Sequence, residues 1–188
     1  MREFYNSCAE DYAIKEFSYD NLAVLVPFEK LLPRNSYILE IGGGAGRDAT
    51  WMVSQGHRVL ALDISEKLLQ KIQKIRGVEV IHKDMREIDW ENKFDGVMSV
   101  ASIMHISKKE GRDVFARIAK SLKPGGLFFV TVPVGDDEGI DAKGRYFANY
   151  EISEIVAMGK AIGLLPAIEP WCNLNKNQRQ FLNAIFKK

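Results

Sequence analysis

Cysteine is scarce in this chain of 188 residues, which has two, Cys8 and Cys172. They stand far apart, and neither has a second cysteine or a histidine at ligand spacing, so the sequence shows neither a zinc pattern nor a disulfide framework. Both read as reduced thiols without chemistry. Charge of one sign is missing as well. Lysine plus arginine (26) nearly cancels aspartate plus glutamate (25), so no overall field draws in nucleic acid or an anionic membrane, and no nucleic-acid partner is expected. Long hydrophobic runs are also absent: the apolar stretches are strand-length, and the opening MREFYNSCAEDY has no apolar signal core. Neither export nor a membrane span is expected, and the cytoplasm is the default compartment. What is present is ordinary for a globular protein, with 46% hydrophobic and 27% charged residues, and the length suits one domain, 1–188, around one core.

From residue 36 onward, strand-like runs alternate with helical patterns. YILEI (37–41) precedes a helix from Arg47; RVLALD (58–63) precedes SEKLLQKIQKI; VEVIH (78–82) leads to a short connection; FDGVMSVAS (94–102) leads to a helix from Ser107; and GLFFVTVPV (126–134) completes the series. Strands that are apolar on both faces and separated by helices imply an α/β fold, a parallel sheet covered on each side. Ser107 with Glu110 forms a capping box for a helix to about Leu122, which Lys123-Pro124-Gly125-Gly126 stops, and Ser65 caps the second crossover helix. After Val134 the composition changes to GDDEGIDAKGRYFANY (135–150), a functional loop or lid, followed by a helix at about Glu151 to Ile162. The runs LLPAIEPW and FLNAIF have too short a connection for a parallel crossover, so they form an antiparallel hairpin within 151–188. Two helical patterns, about 4–16 and 20–32, lie outside the alternating region as an N-terminal cap, 1–35.

The densest local signal is Gly42-Gly43-Gly44-Ala45-Gly46, a turn between the first strand and its helix. Such a turn presents unpaired backbone N–H groups, and glycines let a ligand approach them. Gly44 to Ala49 also satisfies the G-x-G-x-x-A form of a dinucleotide fingerprint, with Asp63 near the end of the second strand. Glu40 separates the two readings. A carboxylate at the mouth of the turn repels a pyrophosphate and favours a ligand that carries an ammonium or another cation.

Glu40-Ile41-Gly42-Gly43-Gly44-Ala45-Gly46 resembles the E/D-x-G-x-G-x-G motif of class I S-adenosylmethionine-dependent methyltransferases, and the resemblance covers about residues 36 to 134. It implies a Rossmann-like seven-stranded sheet of order 3-2-1-4-5-7-6 with strand seven antiparallel, and S-adenosyl-L-methionine as cofactor. Asp63, followed by Ile64, matches the acidic residue that binds the ribose hydroxyls; Asp84 and Met85 match the pair that reads the adenine. FDGVMSVASIMHI, which includes Ala101, matches the fourth strand beneath the methyl donor, and Arg47, directly after the glycine turn, either reaches the cofactor's carboxylate or is a first-turn surface arginine. A helix cap is the alternative for Asp63, and a surface turn for Asp84. Ala101-Ser102-Ile103-Met104-His105 and Gly135 through Phe147 are similar to segments of a small bacterial branch of the family, A-S-x-x-H and a loop ending G-R-Y-F. Tyr5 and Tyr12 resemble aromatic positions of the segment that covers the cofactor in many relatives.

Methyl transfer from a sulfonium is a direct displacement in which a protein mainly aligns the nucleophile and excludes water. His105 follows the fourth strand's C-terminal end, where open α/β sheets bind ligands, and is the candidate base. His57 and His82 read as structural. Ser102, Arg145 and Tyr146, with Tyr5, are the candidate substrate contacts; Arg145 either pairs with a substrate carboxylate or neutralises an acid within its own loop. The expected activity is methylation of a small molecule by a monomer or homodimer. A nicotinamide-dependent oxidoreductase, a non-catalytic cofactor-binding sensor or partner subunit, and a methyltransferase for macromolecules are the alternatives.

Overall fold

The computed structural model describes residues 1–188 except Tyr19 and Lys176. Its frame is a mixed sheet. Strands β1 (Tyr37–Ile41), β2 (Arg58–Asp63), β3 (Val78–His82), β4 (Phe94–Val100) and β5 (Leu122–Pro133) are mutually parallel, and β10 (Gln180–Lys187) runs antiparallel beside β5. The order across the sheet is β3-β2-β1-β4-β5-β10-β8, with β8 (Leu165–Pro166) and β9 (Trp171–Leu174) both antiparallel to β10. This is the expected order. The expected sixth strand is broken into two pieces, because Pro170 has no N–H to offer a ladder.

Alternation along β5 shows how the sequence distributes the core. Phe128, Val130 and Val132 join one buried layer, in which Phe115 of α6 (Lys108–Ser121) meets Phe128 edge-on at 5.0 Å. Phe129 points the opposite way and stacks on Phe28 of α3 (Leu22–Glu29) at 5.4 Å, beside Met52 of α4 (Arg47–Ser54). A strand apolar on both faces needs cover on both sides, and the helices supply it. α5 (Glu66–Ile72) begins at Ser65, whose hydroxyl accepts the Leu68 N–H, and α7 (Ile152–Lys160) packs beside α6.

The capping box at α6 is present in both directions, with Ser107 accepting the Glu110 N–H and Glu110 accepting the Ser107 N–H. The helix ends at Ser121, but Lys123-Pro124-Gly125-Gly126 is not a separate stop before the strand. It lies inside β5 as an irregularity between the pairs Phe94–Leu122 and Gly96–Leu127. The N-terminal cap has three helices rather than two: α1 (Arg2–Ser7), α2 (Ala9–Phe17) and α3, with a break at Cys8. The loop after β5 is an ordered hairpin of β6 (Glu138–Ile140) and β7 (Tyr146–Ala148). Among the described residues, no helix is long and apolar enough to cross a membrane.

Candidate active site

The C-terminal ends of β1, β2 and β4 converge under α1 and α2. At β1 the chain leaves the sheet through the glycine turn, where Gly42 has φ +72° and Gly44 φ +57°. Both positions reject a side chain twice over, by backbone conformation and by contact: a Cβ at Gly42 would overlap Ser102 Oγ, and one at Gly44 would lie 2.8 Å from a carboxylate oxygen of Glu16. Asp63, at the end of β2, accepts the Gly44 N–H at 3.0 Å and the Ser65 N–H at 2.8 Å. It therefore ties the glycine turn to the start of α5 while still lining a cavity. Burial raises its pKa, and the N–H groups oppose the rise.

At the end of β4, Ala101 adopts φ +50°, a conformation that a residue with a Cβ rarely takes. Thr131 holds it there, because the Ala101 N–H donates to the Thr131 carbonyl at 3.1 Å and to its hydroxyl at 2.9 Å. The turn that follows carries His105. Its Nδ1 lies 2.7 Å from the Tyr146 carbonyl and its Nε2 lies 2.9 Å from the Tyr5 hydroxyl. A carbonyl only accepts, so Nδ1 carries the hydrogen and Nε2 accepts from Tyr5. Burial pushes the imidazole pKa down to about 4, with the Tyr146 carbonyl opposing and Arg145 assisting. Burial likewise pushes the Tyr5 hydroxyl up to about 12.

Tyr5, Tyr12, Gly42, Gly44, Asp63, Ile64, Met85, Ala101, Ser102 and His105 all line one cavity of about 70 Å³. A wider groove of about 850 Å³ continues outward past Ile64, Met85 and His105 to Asp84 and Tyr146. Six expected residues stand differently. Glu40 is not at the mouth of the turn: it is buried beneath it, with Oε2 unpartnered among the described residues. Burial, then repulsion from Asp48 and Glu16, raises its pKa well above the usual range. Gly46 caps α4 with φ +93°, and a Cβ there would stand 2.5 Å from Ile75 rather than face a ligand. Arg47 forks onto Asp48 at 2.7 and 3.1 Å. Asp84 caps a short 3₁₀ turn and pairs with Arg86 at 2.7 Å, facing the outer groove. Arg145 takes the intra-loop alternative, gripping Asp141 through Nε and a terminal nitrogen at 2.9 and 2.7 Å while lying over the Phe4 and Phe147 rings. Tyr146 reaches His105 by its carbonyl, not by its ring.

Sequence reasoning missed Glu16. Its carboxylate accepts the Ala45 N–H at 2.6 Å, and burial pushes it up to about 7, with Asp48 and Asp63 adding to the rise and the Ala45 N–H and Arg47 opposing. The available signal was its place four residues after Tyr12, on the same face of a helix.

A family model described as a methyltransferase domain matches residues 38–126, from β1 into β5 and across the whole glycine turn. Together with the sheet order, that decides the fold. The chain has the Rossmann-like topology of class I S-adenosylmethionine-dependent methyltransferases. Among curated proteins, the chain is 33% identical over 98 residues to the cypemycin N-terminal methyltransferase of Streptomyces sp, which covers 50% of this chain and 40% of that one. It is 29% identical over 103 residues to phosphoethanolamine N-methyltransferase 1 of Triticum aestivum, covering 50% of this chain and 20% of the relative. The chain thus matches well under half the length of either. Of solved structures, 1,6-didemethyltoxoflavin-N1-methyltransferase of Burkholderia thailandensis, determined with S-adenosylhomocysteine, superposes with a TM-score of 0.81 at 22% identity, over 100% of this chain and 86% of that one.

The residues present fit S-adenosylmethionine. The turn offers glycines that a ligand can approach closely, Asp63 offers a carboxylate on the wall, and the unpartnered Glu40 oxygen beneath the turn is an acid that a nearby cation would help to ionise.

Proposed function

We propose that this protein transfers a methyl group from S-adenosylmethionine to a nitrogen atom of a small-molecule acceptor. The observation that carries the reading is the Tyr5–His105 pair on the cavity wall, 2.9 Å apart, with the imidazole tautomer set from behind by the Tyr146 carbonyl. Asp63 holds the ribose, Met85 borders the adenine, and the glycine turn takes the amino-acid end. When bound, the cofactor supplies an electrophilic methyl group.

The chain's own part is alignment and proton handling. Nε2 accepts the Tyr5 hydrogen, which turns the lone pairs of the Tyr5 oxygen away from His105 and toward an acceptor N–H. A nitrogen that gains a methyl group becomes more acidic, and its proton passes to Tyr5 as Tyr5 gives its own to His105. Because burial keeps His105 near pKa 4, the ring is neutral and ready at neutral pH and releases the proton readily afterward. Tyr12 meets Tyr5 edge-on at 5.2 Å and Phe147 meets His105 at 4.8 Å, so the pair is fenced by aromatic rings that exclude water. Nitrogen is favoured as acceptor atom by the names of the similar proteins, three enzymes that act on an N-terminus, phosphoethanolamine and a toxoflavin precursor. The near balance of charge gives no platform for a nucleic acid.

The test is incubation with methyl-labelled S-adenosylmethionine and a panel of small primary, secondary and heterocyclic amines, read by mass spectrometry. The expected product carries the label on nitrogen, and Tyr5→Phe slows its formation at least about tenfold. Label found only on a macromolecule, or no label on any acceptor, overturns the reading.

A further inference from the structure

The acid that sits on the glycine turn belongs to the chain itself. Glu16 reaches down from α2 and accepts the Ala45 N–H at 2.6 Å, and both of its carboxylate oxygens lie within 3.0 Å of where a Gly44 Cβ would stand. Gly44 also borders the cavity. A carboxylate on a backbone N–H at the start of a helix is the arrangement that an anionic ligand group would otherwise adopt. We propose that Glu16 is a built-in competitor for the amino-acid end of the cofactor, occupying the Ala45 N–H and the open face of Gly44 until the ligand's own carboxylate displaces it.

Three independent observations support this inference, which rests on the cofactor reading above. First, the end of the cavity bordered by Gly42 and Gly44 holds only about 70 Å³, and the groove of about 850 Å³ that continues it runs toward Asp84 and Tyr146 rather than over the glycine turn, so the room for a ligand's end at the turn is what Glu16 and the roof leave. Second, the roof is lightly fastened. Of the residues in α1 and α2 only Ala9 is fully buried; Tyr5, Tyr12 and Ala13 pack partly buried on Ala45 and Leu68, and the polar ties besides Glu16 include Tyr5 to His105, Asn6 to Glu66 and Ser65, and Glu10 to Lys71 on the surface. Third, the turn already holds the opposite half of a site for a zwitterion. Glu40 lies beneath it, nine-tenths and more buried, with one oxygen unpartnered among the described residues. An ammonium above would give that oxygen a partner and favour its ionised form, while a carboxylate requires the N–H that Glu16 holds. The groups that face Glu16 are Tyr12 on its own helix, Arg47 and Asp48 at the start of α4, Glu40 on β1 and Asp63 on β2. With Glu16 itself that makes four acids beside the Arg47 guanidinium, so a second carboxylate does not enter while Glu16 remains in place on the Ala45 N–H.

Calorimetric titration with two probes tests the inference, S-adenosylhomocysteine and 5′-methylthioadenosine, which keeps the nucleoside but lacks the amino-acid end. The proteins are the unaltered chain, Glu16→Ala and Glu16→Gln, each checked for cooperative thermal unfolding; the glutamine variant retains the packing should the alanine variant fail to fold. The expected result is that S-adenosylhomocysteine binds Glu16→Ala about fivefold tighter or better, the equivalent of removing one competing hydrogen bond, and binds Glu16→Gln tighter by a smaller factor, since its amide oxygen still accepts the Ala45 N–H but carries no charge to repel the ligand's carboxylate. Methylthioadenosine should change less than about twofold on the same scale. Weaker or unchanged binding of S-adenosylhomocysteine overturns the inference and makes Glu16 a ligand partner or a structural acid. Equal gains for both probes overturn it too, since they report a loosened roof rather than competition. If no protein, including the unaltered chain, binds either probe, the cofactor reading itself fails and the inference with it.

Discussion

Burial and one carbonyl together determine what His105 can do. The unfolded chain protonates this histidine near the usual 6.5, whereas the folded protein does so only near 4. The native state therefore binds fewer protons than the unfolded state between those values. The contribution of this group to stability is fully present above about pH 6.5 and is lost as pH falls through about 4. His105→Gln removes that dependence: in urea unfolding, the stability difference between the unaltered chain and the variant should shrink by on the order of 3 kcal/mol between pH 7 and pH 4. A constant difference would show that the imidazole is solvated. The position of His105 after β4 was readable from the chain, but its tautomer and lowered basicity were not, because Tyr5 is 100 residues away and Tyr146 is 41. Glu40 shows the same limit. Its chemistry was legible from its place before the glycines, yet whether it stood at the mouth or beneath the turn depended on strand pairing and on the acids around it. Glu16 had no local mark beyond its place four residues after Tyr12, since its partner N–H lies 29 residues on.

Elements with local punctuation were the most legible. The capping box at Ser107 and Glu110 is a short-range device, and both of its hydrogen bonds form. Ser107→Ala removes the hydroxyl that accepts the Glu110 N–H and should lower stability by about 0.5–2 kcal/mol, read as a shift of the urea midpoint with unchanged slope. An unaltered midpoint would mean that water substitutes fully at this end of α6. Elements whose ends depend on neighbours were less legible. Lys123 to Gly126 looked like punctuation, but β4 alongside draws Leu122 into the sheet, and the glycines become an irregularity within β5. Likewise the cap broke at Cys8, which no proline or glycine marks. The loop after β5 became a hairpin because Arg145 and Asp141 close its turn, a pairing read beforehand as one of two possibilities.

At the scale of the whole molecule, a rigid sheet carries a lightly held cap. The central strands are buried on both faces, whereas α1 and α2 bury only Ala9 among their residues. Amide hydrogen exchange should therefore be faster in 2–17 than in β1, β4 and β5 by several orders of magnitude, because opening the cap exposes little apolar surface. Equal protection would make the cap part of the cooperative core. The division of labour follows from range. Periodicity, caps and the glycine run act over a few residues, so the sequence by itself determined the alternating strands and helices, the parallel sheet they require, and the turn where a ligand approaches backbone. What only the tertiary structure decided were relations between distant segments: Tyr5 on His105, Glu16 on Ala45, Arg145 on Asp141 rather than in the cavity. Those depend on burial and on which charge lies nearest in space, and neither is encoded by spacing along the chain.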